Sequence, residues 1–183
     1  MVDRTAAEQK RCMSRRDFLL AGGAVTMTTL IATIPGVRVL ALPARIKTYP
    51  RKRIVTLDAV KQDVPIPFKY PFEDPLGSAS VLVKLGVPAG GGVGPHDDIV
   101  AFNALCTHMG GPLMGTYKSE YKAMGPCPFH LTTFDLTKRG MVIAGHATES
   151  LPQVLLEIDD GVIYATGMLG LIYGRASNLS TEA

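Results

Sequence analysis

Two short stretches carry the side chains able to do chemistry: Cys106-Thr107-His108 and Cys127-Pro128-Phe129-His130. Each offers one thiol and one imidazole, and twenty residues separate the two cysteines. Thiolate and imidazole on two short arms are what a metal ion or a small cluster needs. A Cys₂His₂ zinc site usually takes both cysteines from one arm and both histidines from the other. Here each arm is mixed. With one residue between Cys106 and His108, both side chains reach a single tetrahedral ion with difficulty and two adjacent metal atoms more easily. A [2Fe–2S] cluster with two Cys on one iron and two His on the other meets that demand. A zinc module, or two buried thiols with two core histidines, are the competing readings.

The pair Cys106-Thr-His-Met-Gly and Cys127-Pro-Phe-His resembles the Rieske fingerprint, C-x-H followed by C-x-x-H. The resemblance implies one [2Fe–2S] cluster, with Cys106 and Cys127 on the inner iron and His108 and His130 on the outer one. Two neutral imidazoles in place of two thiolates remove negative charge, so the potential rises to roughly −150 to +300 mV, against about −400 mV for plant-type ferredoxins. Departures from the respiratory pattern matter. Those proteins carry an extra cysteine in each loop, joined as a disulfide, where this chain has Gly111 and Phe129. They follow the second arm with a Ser and a Tyr whose hydroxyls bond to sulfur; the matching residues here are Thr132 and Phe134. Thr132 keeps a hydroxyl and Phe134 has none. Hydrogen bonds to sulfur stabilise the reduced cluster, so a potential below the upper end of the class is expected. Gly145-His-Ala-Thr-Glu-Ser-Leu-Pro152 matches in position a third, covering loop of the fold. The resemblance thus places Gly110, Thr132, Phe134 and Pro152 around the cluster. His146 stands where proline is frequent and reads as a surface histidine, with a place beside the cluster as the alternative.

Beyond the fingerprint, the stretches Asp98-Ile-Val-Ala-Phe-Asn, Cys106-Thr-His-Met-Gly-Gly-Pro-Leu, Gly145-His-Ala-Thr-Glu-Ser-Leu-Pro-Gln and Gly170-Leu-Ile-Tyr-Gly-Arg extend the resemblance. Over roughly residues 53–175 the chain is similar to small subunits of arsenite oxidase. That family implies a large molybdopterin and iron–sulfur catalytic subunit as partner. A soluble cytochrome c or azurin-like protein would take electrons from the Rieske centre. This chain would be the electron-transfer subunit, with no substrate-converting site of its own. A membrane-anchored Rieske subunit of a quinol-oxidising complex is the alternative, and Gly111, Phe129 and Phe134 speak against it. A Rieske oxygenase would need a mononuclear-iron domain for which the chain has no room.

Charge and targeting signals agree with an exported electron carrier. The chain of 183 residues has formal charge +3, 46% hydrophobic residues and no Trp. Residues 1–41 hold six Lys/Arg against three Asp/Glu, and residues 42–183 hold thirteen of each. The basic excess lies in the leader, and nucleic-acid binding has no electrostatic support. Ser14-Arg15-Arg16-Asp17-Phe18-Leu19, followed by an apolar run to Val37, reads as a twin-arginine export signal. Such a signal exports folded proteins, which suits a cofactor inserted in the cytoplasm and a periplasmic destination. A cleavage point follows Ala41; retention as a membrane anchor is the other outcome, since the run is near the ~20 residues that span a bilayer. Of three cysteines, Cys12 lies in the leader, so both thiols of the 42–183 domain are taken by the two arms.

The remaining chain predicts an all-β domain: a Rieske-type antiparallel sandwich or barrel with a small cluster-binding subdomain at about 104–136, preceded by a signal helix. Strands are expected at 53–58, 79–85, 98–105, 132–136, 140–144, 153–158 and 162–166, with a last short strand at 169–173. Asp159-Asp160-Gly161 marks a hairpin. Val64 to Pro75, with four prolines, reads as extended chain unfit for a central strand. Pro112 to Gly125 reads as a connection with a short helical turn. The glycines of 89–95 lack the Lys and following helix of a phosphate loop. His96, beside Asp97 and Asp98, reads as solvated.

Overall fold

The computed structural model describes residues 48–74 and 77–179. The leader expected over 1–41, with Cys12, lies outside the described residues. Among the described residues ten antiparallel strands form two sheets. In chain order they are β1 (Lys52–Thr56), β2 (Ile66–Lys69), β3 (Ala79–Lys84), β4 (Ile99–Asn103), β5 (Tyr117–Lys118), β6 (Ala123–Met124), β7 (Thr133–Asp135), β8 (Met141–Ala144), β9 (Gln153–Asp159) and β10 (Val162–Leu169). The larger sheet runs β1-β10-β9-β4-β3-β2 and the smaller β5-β6-β7-β8. Among the described residues no helix is long and apolar enough to cross a membrane.

β4 is buried at every position, Ile99 to Asn103. The side-chain period of two explains why it must be. From β3 and β4, Val81, Val83, Val100 and Phe102 enter one core, while Leu82, Ile99 and Ala101 enter another. The first core also holds Cys106, Cys127, Leu113, Met124, Phe134 and Leu136, contributed by the smaller sheet and its loops. β4, buried on both faces, therefore packs through Val100 and Phe102 against the core that holds Cys106 and Cys127. Each fully buried Val or Phe of this kind contributes about 1.5–3 kcal/mol.

Turn chemistry fixes the rest. β9 and β10 join through Asp160 (φ 46°) and Gly161 (φ 69°), the pair of left-handed residues that a two-residue hairpin requires. Pro67 is confined to β2, at the sheet edge, where a missing N–H costs least. One polar cluster ties the two sheets together. Asp63, at φ 59°, follows the 3₁₀ turn after β1 and donates its N–H to the Lys84 carbonyl (2.8 Å). Its carboxylate accepts from Lys122 Nζ (2.7 and 2.9 Å) and from the Tyr117 hydroxyl (2.6 Å), both on the β5–β6 hairpin. Lys122, then Tyr117, hold the Asp63 carboxyl below its ordinary range. Burial, then Asp63, push the Tyr117 hydroxyl above its own.

Three expectations need correction. The 112–125 connection contains β5 and β6, a hairpin of two-residue strands, and not a helical turn. The first strand stops at Thr56, and Leu57–Ala59 form a 3₁₀ turn. The expected strand at 169–173 does not form: Leu169 ends β10, and Gly170 (φ 89°) turns the chain away.

Candidate metal centre

The two arms are built alike. In the first, the Cys106 N–H donates to the Gly111 carbonyl (2.9 Å), and the Gly110 N–H donates to the Cys106 carbonyl (2.8 Å). In the second, the Cys127 N–H donates to the Thr132 carbonyl (2.8 Å), and the Leu131 N–H donates to the Cys127 carbonyl (2.9 Å). Each cysteine thus sits at the start of a closed turn whose fifth residue is left-handed: Gly110 at φ 66° and Leu131 at φ 60°. Glycine adopts that conformation freely, whereas leucine bears about 1–2 kcal/mol of strain there. Asn103 launches the first arm. Its side chain donates to the Gly77 and Ala79 carbonyls (both 3.0 Å) and accepts from the Leu105 N–H (3.1 Å).

The side chains segregate by type. Both cysteines are buried in the core and neither is in a disulfide. His108 is half-buried and His130 is exposed. Their rings meet edge to face, with centroids 4.7 Å apart. Sulfur therefore lies inside and nitrogen at the surface. Among the described residues no three His, Cys, Asp or Glu side chains converge on one ion position.

The pocket fits a cluster by two further tests. A Cβ on Gly111 would stand 2.5 Å from Cys127 Sγ and 3.1 Å from the Phe129 ring, so the arms leave no spare volume beside the sulfurs. Burial pushes the Cys106 thiol up, and the neighbouring Cys127 adds to this. The His108 N–H and the Thr132 hydroxyl pull it back. Two facing thiols in an apolar core need positive metal to exist as thiolates.

Other expected site residues are distributed as follows. Gly110 lies under Tyr173, whose ring would be 2.6 Å from a Cβ there. Thr132 is fully buried, and its carbonyl closes the second arm by accepting the Cys127 N–H (2.8 Å). Phe134 is fully buried in the core that contains both cysteines. Pro152 is buried at the end of the third loop, where its carbonyl accepts from the Asn103 N–H (2.8 Å). The third loop is tied to the first arm by the Thr107 hydroxyl, which donates to the Glu149 carbonyl (2.8 Å). His146 is exposed, as a surface histidine would be, yet its ring centroid is 5.7 Å from that of His108 and 6.3 Å from that of His130. No local sequence signal marks that proximity, because it depends on how the third loop folds back. His96 is exposed. Asp98, its neighbour but one, is buried. Around the imidazoles, Met109, Phe129 and Leu131 are more than half exposed and form an apolar rim.

Comparison with known proteins agrees with this geometry. Residues 60–155 match the family model described as Rieske [2Fe-2S] domain. The chain is 59% identical over 170 residues to iodate reductase subunit IdrB of Denitromonas iodatirespirans, covering 93% of this chain and 89% of that one. It is 56% identical over 166 residues to the subunit of the same name from Pseudomonas sp. (strain SCT), covering 91% and 84%. Among solved structures, the soluble domain of the Rieske protein II (soxF) from Sulfolobus acidocaldarius superposes with a TM-score of 0.57 at 25% identity, over 66% of this chain and 78% of that one. With the family model matched over more than half of its residues, the chain belongs to the Rieske [2Fe–2S] domain family and binds one [2Fe–2S] cluster.

Proposed function

We propose that this chain is the electron-transfer subunit of a periplasmic, multi-subunit oxyanion oxidoreductase whose substrate is iodate. One observation carries the choice of substrate: the two relatives matched over more than nine-tenths of the chain are both iodate reductase subunits. The arrangement of the centre supports the relay role. When bound, the cluster supplies a one-electron couple at a mild potential. Cys106 and Cys127 would hold its inner iron in the core, and His108 and His130 its outer iron at the surface. The half-buried His108 and exposed His130 imidazoles, ringed by Met109, Phe129 and Leu131, form the patch that a partner protein would cover.

The partner in this reading is a large molybdopterin and iron–sulfur catalytic subunit, where the oxyanion chemistry takes place. A soluble cytochrome c or azurin-like protein exchanges electrons with the complex. For iodate reduction electrons run inward, from that carrier through this chain to the catalytic subunit. The arsenite oxidase reading uses the same relay in the opposite direction. The discriminating experiment is an assay of the complex purified from the periplasm. Iodate-dependent oxidation of a reduced dye supports the proposal. Arsenite-dependent reduction of an oxidised dye, without iodate turnover, replaces it. Export through the twin-arginine motif is part of the proposal, and N-terminal sequencing of the exported protein decides between cleavage after Ala41 and retention as an anchor.

A further inference from the structure

The chain runs through β10 and leaves it without meeting a charge. From Gly161 to Gly174 there is no Asp, Glu, Lys or Arg. Leu169, Leu171 and Tyr173 are 50%, 53% and 42% exposed. These side chains do not belong to a loose tail that could fold them inward. Ile172, between two of them, is fully buried in the second core, and its N–H donates to the Asn178 side chain (3.0 Å). Asn178 in turn donates to the Gly170 carbonyl (2.7 Å), and Arg175 pairs with Asp74 (2.9 Å). With Ile172 held inward, Leu171 and Tyr173 are held outward. On the adjacent strand Leu155, 41% exposed, pairs with Gly167 and stands one diagonal step from Leu169. At the other end the Tyr173 ring lies against Gly110, beside the exposed Met109. A cleft of about 350 Å³ opens there, lined by Met109, Gly110, Tyr173 and Gly174 among others. An apolar ridge thus runs from the larger sheet to the flank of the first arm.

We propose that this ridge, Leu155, Leu169, Leu171 and Tyr173 with the cleft beside Met109, is the seat of the permanent catalytic subunit, which meets it with an apolar surface and a side chain that fills the cleft. The inference rests on the multi-subunit reading above, but not on which oxyanion is converted. Surface chemistry selects the occupant. An exchangeable electron carrier arrives and leaves during turnover; such encounters bury little area and are steered by charge. An uncharged ridge offers no steering. Subunits that stay together meet over larger and more apolar surfaces. Position agrees with this choice. The ridge meets the first arm at Gly110, two residues from His108, so a subunit seated on it lies next to an imidazole assigned to the outer iron.

The test uses the complex from cells that make all of its subunits, captured through this chain and then diluted in steps. Two quantities are followed: the larger, molybdenum-containing subunit retained at each step, and the low average g-value signal of the reduced [2Fe–2S] centre. Leu171→Ser combined with Tyr173→Ser should weaken retention about tenfold or more, with the signal unchanged. Leu169→Ser should act in the same direction. Leu171→Met, which keeps the apolar volume, should hold like the parent. So should Tyr121→Ser, which removes an aromatic side chain, 69% exposed, from the β5–β6 turn of the other sheet. Parent-like retention in the double variant overturns the proposal, as does an equal loss in Tyr121→Ser. A double variant that disperses a dimer of this chain while keeping the larger subunit makes a second copy the occupant, and also overturns it. Should the double variant lose the [2Fe–2S] signal, Leu169→Ser combined with Leu155→Ser decides in its place. A parent chain that purifies with no larger subunit removes the multi-subunit reading itself, and this inference falls with it.

Discussion

His108 and His130 present their rings to each other edge to face, at 83° between planes, although they arrive from arms separated by two short strands. Neither ring is placed by its own arm alone, because each arm is closed around its cysteine and leaves the histidine near the tip. Removing either imidazole should leave the outer iron one ligand short. His108→Ala and His130→Ala are expected to purify with depleted iron and without the low average g-value of mixed sulfur and nitrogen ligation. His146→Ala should retain both. Metal analysis and electron paramagnetic resonance of the three proteins check this.

Gly111 marks the tightest point of the arms. A methyl group at 2.5 Å from Cys127 Sγ must displace either that sulfur or the Phe129 ring. Gly111→Ala should cost about 1–3 kcal/mol, the usual range for overpacking a filled site. Iron content should fall with it. Chemical denaturation and iron-to-protein ratio are the measurements, and parent-like values in both would refute the steric argument.

Phe134 sits in the core with both cysteines but offers sulfur no donor. The midpoint potential is therefore expected below the upper end of the class, about +300 mV. Phe134→Tyr restores a hydroxyl and should move the potential upward. A downward or absent shift in a fully loaded variant would show that the ring edge does not face the sulfurs.

The Asp63 carboxylate links the two sheets through Lys122 and Tyr117, and its folded pKa is depressed, chiefly by Lys122. Its contribution to stability is therefore present above the unfolded value, near 3.9 for an aspartate, and lost as pH falls through the folded value. Asp63→Asn tolerates the positive φ and keeps an acceptor for Tyr117 while removing the charge. At neutral pH the variant should be less stable by about 1 kcal/mol. The gap should close in strong acid, where the parent carboxyl is protonated. Denaturation curves at the two pH values test the sign.

The meeting of the two arms was legible from residue type and spacing: Cys106 and Cys127 share one core, and His108 lies against His130. The all-β character and the β9–β10 hairpin were legible from alternation and from Asp160-Gly161. Two features were hidden for physical reasons. β5 and β6 are two residues each, too short to show a period of two, and the second is buried at both positions. Leu169, Leu171 and Tyr173 alternate like a strand, but all three are exposed and Gly170 breaks the extension. The closeness of His146 to the ligand rings depends on Gly145 clearing Thr132, a contact between residues distant in sequence.

β1, at the start of the described chain, pairs with β10, near its end, with Lys52 opposite Ala165. The larger sheet cannot be completed while the ribosome still holds the final strand. Pairings of such sequence separation form slowly and late. The frame that carries both arms is thus complete only once β10 has left the ribosome, and the cluster site has its full support only from then on. A transport route that threads unfolded chains would have to leave metallation to the far side of the membrane, whereas one that moves completed proteins lets the cell load the iron before departure.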